Sequence, residues 1–345
     1  MSTGRIVDAT AITLRQATPA DWDVIADVVN AARKADGIAE VRTAENLAEE
    51  YPDSERFVFE RDMLIAQVGG QVAGYCMGYV AIREGVLTAE TIGDVHPAWR
   101  RHGVGSLLLE TTADRLQQRA AEHPHVGPRE RRAYAMEVET SALALLDHHG
   151  YVPIRFGFEM RRYLTGSLPD HPVPEGLEIR PALESEHRAI FDADNEAFED
   201  HWGHRAKDES DYVSRFQGSE MDPSLYLVAW DGDQVAGVVM NAIFAWENEA
   251  IGVRRGWLEH VSVRRPWRGR GVAKALCSAS FLLLREHGMD EAWLGVDGSN
   301  PTGALQLYDG LGFGVVRRWF AYGRPMDRPA PAGWQSGGAG DPGSG

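Results

Sequence analysis

The sequence predicts an α/β protein built from two copies of one domain, and three observations carry that prediction. First, an Arg-x-x-Gly-x-Gly/Ala turn occurs twice, as Arg100-Arg101-His102-Gly103-Val104-Gly105 and as Arg268-Gly269-Arg270-Gly271-Val272-Ala273. Each lies between a strand-like run and an apolar, helix-like run. Second, shorter matches keep a similar spacing. Ile12-Thr-Leu-Arg-Gln-Ala17 resembles Leu177-Glu-Ile-Arg-Pro-Ala182, Gln71-Val-Ala-Gly74 recurs as Gln234-Val-Ala-Gly237, and Gly150-Tyr151 corresponds to Gly312-Phe313. The copies lie between 162 and 168 positions apart, too far for a stacked repeat array but suited to a duplicated domain. Third, Thr165–Gly176 combines three prolines with turn residues and has no periodicity, so it reads as a linker. The boundaries follow: a first domain over 1–164, a linker over 165–176, a second domain over 177–327, and a tail over 328–345. The Gly- and Ser-rich composition of that tail predicts disorder.

Within each half the order reads strand, helix, antiparallel strands, Gly turn, helix, strand, helix, strand. The two opening strands are 12–17 and 177–182. Thr18-Pro19 fits an N-cap followed by proline at the first helical position, with Asp21 and Asp23 in the first turn. Val238–Phe244 and Trp257–Val263 are rich in β-branched and aromatic residues and read as strands. Ala273–Glu286 is apolar enough for a mostly buried helix, and Gly288 is its expected stop.

The bulk properties bound the function. The 345 residues are 43% hydrophobic and 25% charged, the composition of a globular protein of two ordinary domains. No apolar run reaches the ~18 residues of a membrane span, and Met1–Ile6 lacks the apolar core of a secretory signal, so a cytoplasmic protein is expected. Cys76 and Cys277 sit in apolar runs and read as buried small hydrophobes. A net charge of −16 argues against nucleic-acid binding and permits a cationic substrate. The twelve histidines include no ligand-spaced cluster, so no metal is expected.

A strand, a Gly-rich turn and a helix N-terminus form an anion site, because small residues let backbone N–H groups approach and the helix dipole favours negative charge. Both halves also place an aromatic residue and Arg before the turn, in Val95-His-Pro-Ala-Trp-Arg-Arg-His-Gly-Val-Gly105 and Val263-Arg-Arg-Pro-Trp-Arg-Gly-Arg-Gly-Val-Ala273, and Asn300, Tyr308 and Gly312-Phe313 follow. On these residues the chain resembles the GNAT superfamily of N-acetyltransferases over roughly 12–164 and 177–326. The tandem layout, with Phe198-Glu-Asp-His-Trp-Gly203, is similar to the mycothiol synthase group. The resemblance implies a mixed sheet that splays between its central strands. It also implies acetyl-CoA in the opening, its pyrophosphate on the Gly turn and its pantetheine along the preceding strand. A small-molecule amine is the implied acceptor and attacks the thioester directly.

The resemblance assigns roles residue by residue. Arg268, Gly269, Arg270, Gly271, Val272 and Ala273 would hold the pyrophosphate, the arginines by their planar fork. Arg100, Arg101, His102, Gly103, Val104 and Gly105 form the matching turn of the first half. Arg264 and Arg265 fit either a contact to the 3′-phosphate or a solvated basic face. Val261, Ser262 and Val263 would pair with pantetheine, one N–H polarising the thioester carbonyl. Glu259, two residues before Val261 and so expected on the same strand face, would accept the proton that an ammonium of pKa ~10 must lose. Tyr308 would return a proton to the departing thiolate. Asn300 fits a helix N-cap before Pro301 and equally a contact to pantetheine. His201, Trp202 and Trp257 are weaker candidates for the acceptor pocket.

The halves differ in these residues. Aligned on the Gly turn, Thr91 falls where the second half has Glu259; aligned on Gly150-Tyr151, Leu146 falls where it has Tyr308; Asn300 has no counterpart. Catalysis is therefore expected in the second half, with Asp94 as a possible substitute base in the first. A non-catalytic acyl-CoA sensor and a transferase using aminoacyl-tRNA are the competing classes.

Overall fold

The computed structural model describes residues 12–54, 56–218, 221–299 and 303–326. The expected disordered tail and the Asn300 cap lie outside the described residues. In chain order the first half comprises β1 (Ile12–Gln16), α1 (Trp22–Ala35), α2 (Ala44–Glu50), α3 (Phe59–Asp62), β2 (Met63–Val68), β3 (Gln71–Arg83), β4 (Val86–Val95), α4 (Val104–Glu122), β5 (Arg129–Met136), α5 (Thr140–His148) and β6 (Val152–Tyr163). The second comprises β7 (Glu178–Pro181), α6 (His187–Ala197), α7 (Glu209–Gln217), β8 (Leu227–Asp231), β9 (Gln234–Ala242), α8 (Ala245–Ile251), β10 (Arg255–Val263), α9 (Val272–Glu286), β11 (Glu291–Asp297), α10 (Ala304–Gly310) and β12 (Gly314–Pro325). None of the described helices is long and apolar enough to cross a membrane.

The repeated sequences acquire physical reasons. Thr18-Pro19 opens a single 3-10 turn over Pro19–Asp21 that leads into α1. Asp21 accepts from the Thr18 N–H at 2.7 Å and from Arg15 of β1 at 2.6 and 2.8 Å. The Arg15 guanidinium holds its carboxyl down at about 2. Arg180 and Glu186 repeat the bridge at the start of the second half. Gln-Val-Ala-Gly begins the second strand of each hairpin and carries a bulge. Ala66 pairs with Gly74 but Gln67 with Val72, and Ala229 with Gly237 but Trp230 with Val235. The glycine is demanded by close approach: a Cβ on Gly74 would lie 2.7 Å from the Asp94 carbonyl, and one on Gly237 2.6 Å from that of Ser262.

Two compact units result, one of residues 12–156 and 319–326, the other of 157–318. In the first, β1 to β5 form a sheet in chain order, β4 and β5 parallel and the rest antiparallel. Its last strand is not β6 but the end of β12, where Trp319–Pro325 runs antiparallel to Met136–Glu130. In the second, β7, β8, β9, β10 and β11 follow in order, with only β10 and β11 parallel. There Gly157–Tyr163 of β6 lies along β11. The sequence boundary at 165–176 therefore differs from the division in space, because the closing strand of each half completes the sheet of the other. Residues 165–176 contain no helix or strand. Met160 and Leu164 belong to the core of the second unit, and Tyr322 to that of the first.

In the second unit α9 packs on one sheet face, with Leu276, Cys277, Phe281 and Leu284 fully buried, while α6 packs on the other through Ile190 and Phe191. In the first, α4 and α1 take the corresponding places. Cys76 and Cys277 are buried and unpaired by disulfide, as expected.

Candidate active site

The site of the second half arises where two parallel strands part. β10 and β11 pair only from Arg255–Trp257 to Glu291–Trp293. Beyond Trp257, the edge of β10 that faces β11 has no strand partner among the described residues, and its backbone groups there need other partners. A cavity of about 510 Å³ fills the opening. Leu258, Glu259, Val261, Ser262 and Val263 line it from β10, and Gly295, Val296 and Asp297 from β11.

The Gly turn closes one end through Arg268, Gly269, Gly271, Val272 and Ala273. Gly271 caps α9 at φ +88° and Gly269 has φ +74°, so both need glycine for their backbone conformation. The first N–H groups of α9 have no intrahelical acceptor and, with the helix dipole, form an anion cradle. Lys274, on this first turn, also lines the cavity. The sequence reading missed it because it follows the motif rather than belonging to it.

Arg268 lines the cavity and is also tied into the fold. Its guanidinium donates to the carbonyls of Val263 at 2.9 Å and Ala197 at 3.0 Å, and to Asp200 at 2.8 Å. It ties strand end, turn and the end of α6 together, with three of its five N–H donors engaged in these bonds. Arg264 and Arg265 are likewise paired, with Glu196 and Asp200, which favours the ordinary surface reading of that basic cluster. Arg270 is not among the cavity's lining residues.

Glu259 lines the cavity, but not for the reason of strand alternation. Leu258 pairs with Asn241 and His260 with Met240, so Glu259 is the extra residue of a β-bulge. This corrects the alignment with the first half. There β4 pairs with β3 without interruption, Gly78 facing Thr91 and Met77 facing Ile92. By register Thr91 corresponds to Leu258, Ile92 to His260, and Glu259 to nothing. His260 turns to the opposite face, where its Nδ1 lies 2.9 Å from Asp194, which also accepts from Lys207 at 2.6 Å. Burial pushes the His260 imidazole down to about 4, against the pull of Asp194. This buried cluster fixes the strand immediately after the bulge.

Tyr308, on α10, lines the same cavity and is 6% exposed. Its ring packs edge-on to Phe313 with centroids 5.8 Å apart, so core packing and cavity lining coexist. Burial, with Cys277 nearby, raises its phenol well above the usual tyrosine value. Among the acceptor candidates, His201 lines the cavity, stacked on Phe198 with centroids 4.2 Å apart. Burial lowers its imidazole below the usual value, and Arg268 adds to the effect. Trp202 and Trp257 are not among the lining residues. Trp257 packs on Trp293 at the base of the opening, with centroids 5.6 Å apart.

The first half has a related groove of about 590 Å³, lined by Arg100, Arg101, Gly103 and Gly105 of its turn. Gly103 caps α4 at φ +85°, and Arg101 occupies the left-handed region at φ +65°, where the second half has Gly269. Val104 is buried in the core, and His102 bonds the Arg100 carbonyl at 2.8 Å rather than lining the groove. Arg100 repeats the Arg268 tie, bonding Asp36 at 2.7 Å and the Val95 carbonyl at 3.3 Å. Leu146, matching Tyr308, is buried. No group of residues able to hold a metal ion occurs among the described residues.

Comparison with known proteins agrees with this geometry. Residues 187–313 match the acetyltransferase (GNAT) family, and residues 55–153 match an acetyltransferase (GNAT) domain. The mycothiol acetyltransferase of Thermobispora bispora is 29% identical over 307 residues, covering 88% of this chain and 94% of its own. That of Salinispora tropica is 33% identical over 233 residues, covering 66% and 69%. Among solved structures, a GCN5-related N-acetyltransferase from Sphaerobacter thermophilus superposes with a TM-score of 0.71 at 29% identity, over 92% of this chain and 97% of that one. A tandem GNAT protein from the clavulanic acid biosynthesis pathway has the same fold, with a TM-score of 0.65 at 14% identity, over 92% and 99%.

Proposed function

Because the chain belongs to the GNAT family of acetyltransferases, we propose that its second half transfers an acetyl group from acetyl-CoA to the amine of a small molecule by direct attack. The observation that carries this reading is the convergence on one cavity of the Gly turn, the unpaired edge of β10, Glu259 and Tyr308. Acetyl-CoA supplies the acetyl group as an activated thioester. The first-turn N–H groups of α9 and the Lys274 ammonium hold the pyrophosphate. Main-chain groups of Val261–Val263 line pantetheine, and an N–H of that edge stabilises charge on the carbonyl oxygen. Glu259 takes the proton of the incoming ammonium, directly or through water. Tyr308, kept protonated by its raised pKa, gives its proton to the sulfur. The first half has no Glu259 counterpart and carries Leu146 for Tyr308, which supports placing the chemistry in the second. The mycothiol acetyltransferases among the relatives favour a small-molecule acceptor over a protein.

The test is thiol release from acetyl-CoA across amines, aminoglycosides, amino acids and peptides. Gly271→Asp should abolish turnover. Lys274→Glu, which leaves the backbone untouched, should weaken acetyl-CoA binding at least tenfold. Gly103→Asp should alter stability or cofactor stoichiometry more than rate per folded molecule. A folded Gly103→Asp protein without activity, beside an active Gly271→Asp protein, places the chemistry in the other half.

A further inference from the structure

We propose that the first half carries a chemistry of its own, hydrolysis of a small carboxylic ester by a Ser106–His149–Glu110 triad beside the groove over its Gly turn. Ser106 and Glu110 stand four residues apart on α4, the spacing that puts two side chains on one helix face. His149, which caps the end of α5, spans them. Its Nε2 lies 2.9 Å from the Ser106 hydroxyl oxygen, and its Nδ1 lies 3.5 Å from Glu110.

The order of these contacts is the one nucleophilic catalysis needs. With its proton on Nδ1, toward the carboxylate, the ring presents the Nε2 lone pair to the hydroxyl. A hydroxyl bonded to a base that a third group orients is the geometry of an activated serine, and it recurs on unrelated folds. Burial lowers the His149 imidazole below its usual value, against the pull of Glu110, so the base is neutral and able to accept at pH 7. The His149 carbonyl accepts from Arg324 at 2.7 Å, which anchors the backbone that carries the ring.

The surroundings supply the rest. Ser106 is the third residue of α4 and lines the groove together with Gly103 and Gly105. The first intrahelical bond of α4 runs from the Leu107 N–H to the Gly103 carbonyl, so the N–H groups of Val104, Gly105 and Ser106 have no intrahelical acceptor. At the positive end of the helix dipole they can receive the oxygen charge of a tetrahedral intermediate. Val95, Ala142 and Leu145 give the groove an apolar wall. Its arginines, Arg100 and Arg101, are outnumbered by Asp36, Asp94, Glu139 and Asp147, which favours an uncharged ester over a polyanion.

The triad is particular to this half. Counted from the two Gly turns, the second half has Lys274 for Ser106 and Ser278 for Glu110; counted from Gly312-Phe313, it has Leu311 for His149. All three members differ, and the site is separate from the one assigned to acetyl transfer. In the reaction the Ser106 oxygen bonds to the ester carbonyl carbon as its proton passes to Nε2 of His149. Collapse of the intermediate breaks the bond to the alcohol, which leaves with that proton. Water then attacks the acyl-serine through the same base, releasing the carboxylic acid and restoring the hydroxyl.

The test uses the full chain in a Glu259→Gln background, which removes the proposed base of the second half, and two probes, 4-nitrophenyl acetate and an alkyl fluorophosphonate. The fluorophosphonate should lose fluoride and leave a covalent adduct that peptide mass spectrometry places on Ser106. Release of 4-nitrophenolate should fall roughly a hundredfold or more in Ser106→Ala and in His149→Gln. The Glu110 side chain is 64% exposed, so Glu110→Gln leaves the core untouched and serves if the other variants misfold; it should slow both ester turnover and labelling at least tenfold. No adduct on Ser106 in folded protein, ester turnover that survives Ser106→Ala, or labelling unchanged by Glu110→Gln overturns the proposal. Acetyl transfer is measured separately on the parent chain by thiol release, so either reading can fail alone.

Discussion

Glu259 shows how one residue can separate two copies of a domain. It sits in β10 as an insertion, and every side chain before it is out of step with the first half. A strand's faces alternate with a period of two, so one extra residue re-aims its neighbours. The identity of Glu259 was legible as a carboxylate beside the expected thioester. The bulge was not, because an insertion of one residue shows only in the register with a partner strand. Tyr308 was the more legible, since its position follows from the Gly312-Phe313 match on a helix without insertions. Its raised pKa makes a definite claim. The phenol is favoured in its protonated form in the folded protein, so the donor is present across the neutral range and is lost only at strongly alkaline pH. Tyr308→Phe should lower kcat by ~10²–10⁴-fold with acetyl-CoA affinity nearly unchanged, and wild-type kcat should show no falling limb up to about pH 10. Single-turnover rates measured across pH check both. A wild-type rate in the variant, with chemistry rate-limiting, returns Tyr308 to core packing alone.

At the scale of elements, the Gly turn works because something holds it against the helix that precedes it in the chain. Arg268 bridges the end of β10, the turn and the end of α6, as Arg100 bridges β4, its own turn and α1. The arginine was legible as part of a motif, but its bonds within the fold were not. Sequence does not reveal which donors are satisfied internally, because Ala197 and Asp200 lie about seventy residues away in the chain. Arg268→Ala should cost about 1–3 kcal/mol, the worth of hydrogen bonds from a charged group whose carbonyl partners are left unpaired. It should also weaken acetyl-CoA binding through a loosened turn. Arg265→Ala, which removes only exposed pairs with Asp200 and Glu199, should leave stability unchanged. Denaturant unfolding of the two variants measures the difference. Equal stabilities would show that the turn holds itself.

Duplication was plain in the sequence of the whole molecule; the exchange of closing strands was not. Two copies of one domain offer two nearly equivalent edges, β5 and β11, and a strand's own pattern does not say which edge it joins. The side chains have nonetheless specialised. Met160 and Leu164, from the end of the first half, fill the core around Leu294 and Phe313, while Phe320 and Tyr322, from the end of the second, pack beside Leu109 and Leu146. At Gly323 a Cβ would lie 2.9 Å from Ile154, so that strand is cut to fit residues of the first half. Cleaving the chain within 165–176 therefore leaves each fragment with the closing strand made for the other. Burying a large apolar side chain contributes ~1.5–3 kcal/mol, and each core loses at least two such side chains against a typical domain stability of ~5–15 kcal/mol. Fragments 1–170 and 171–345 expressed separately should melt well below the intact chain or aggregate, and their co-expression should restore a stable complex. Thermal melts and size-exclusion chromatography distinguish the cases. If each fragment alone is monomeric and melts with the parent, the strands are interchangeable and each half is a domain in its own right, as the linear sequence had implied.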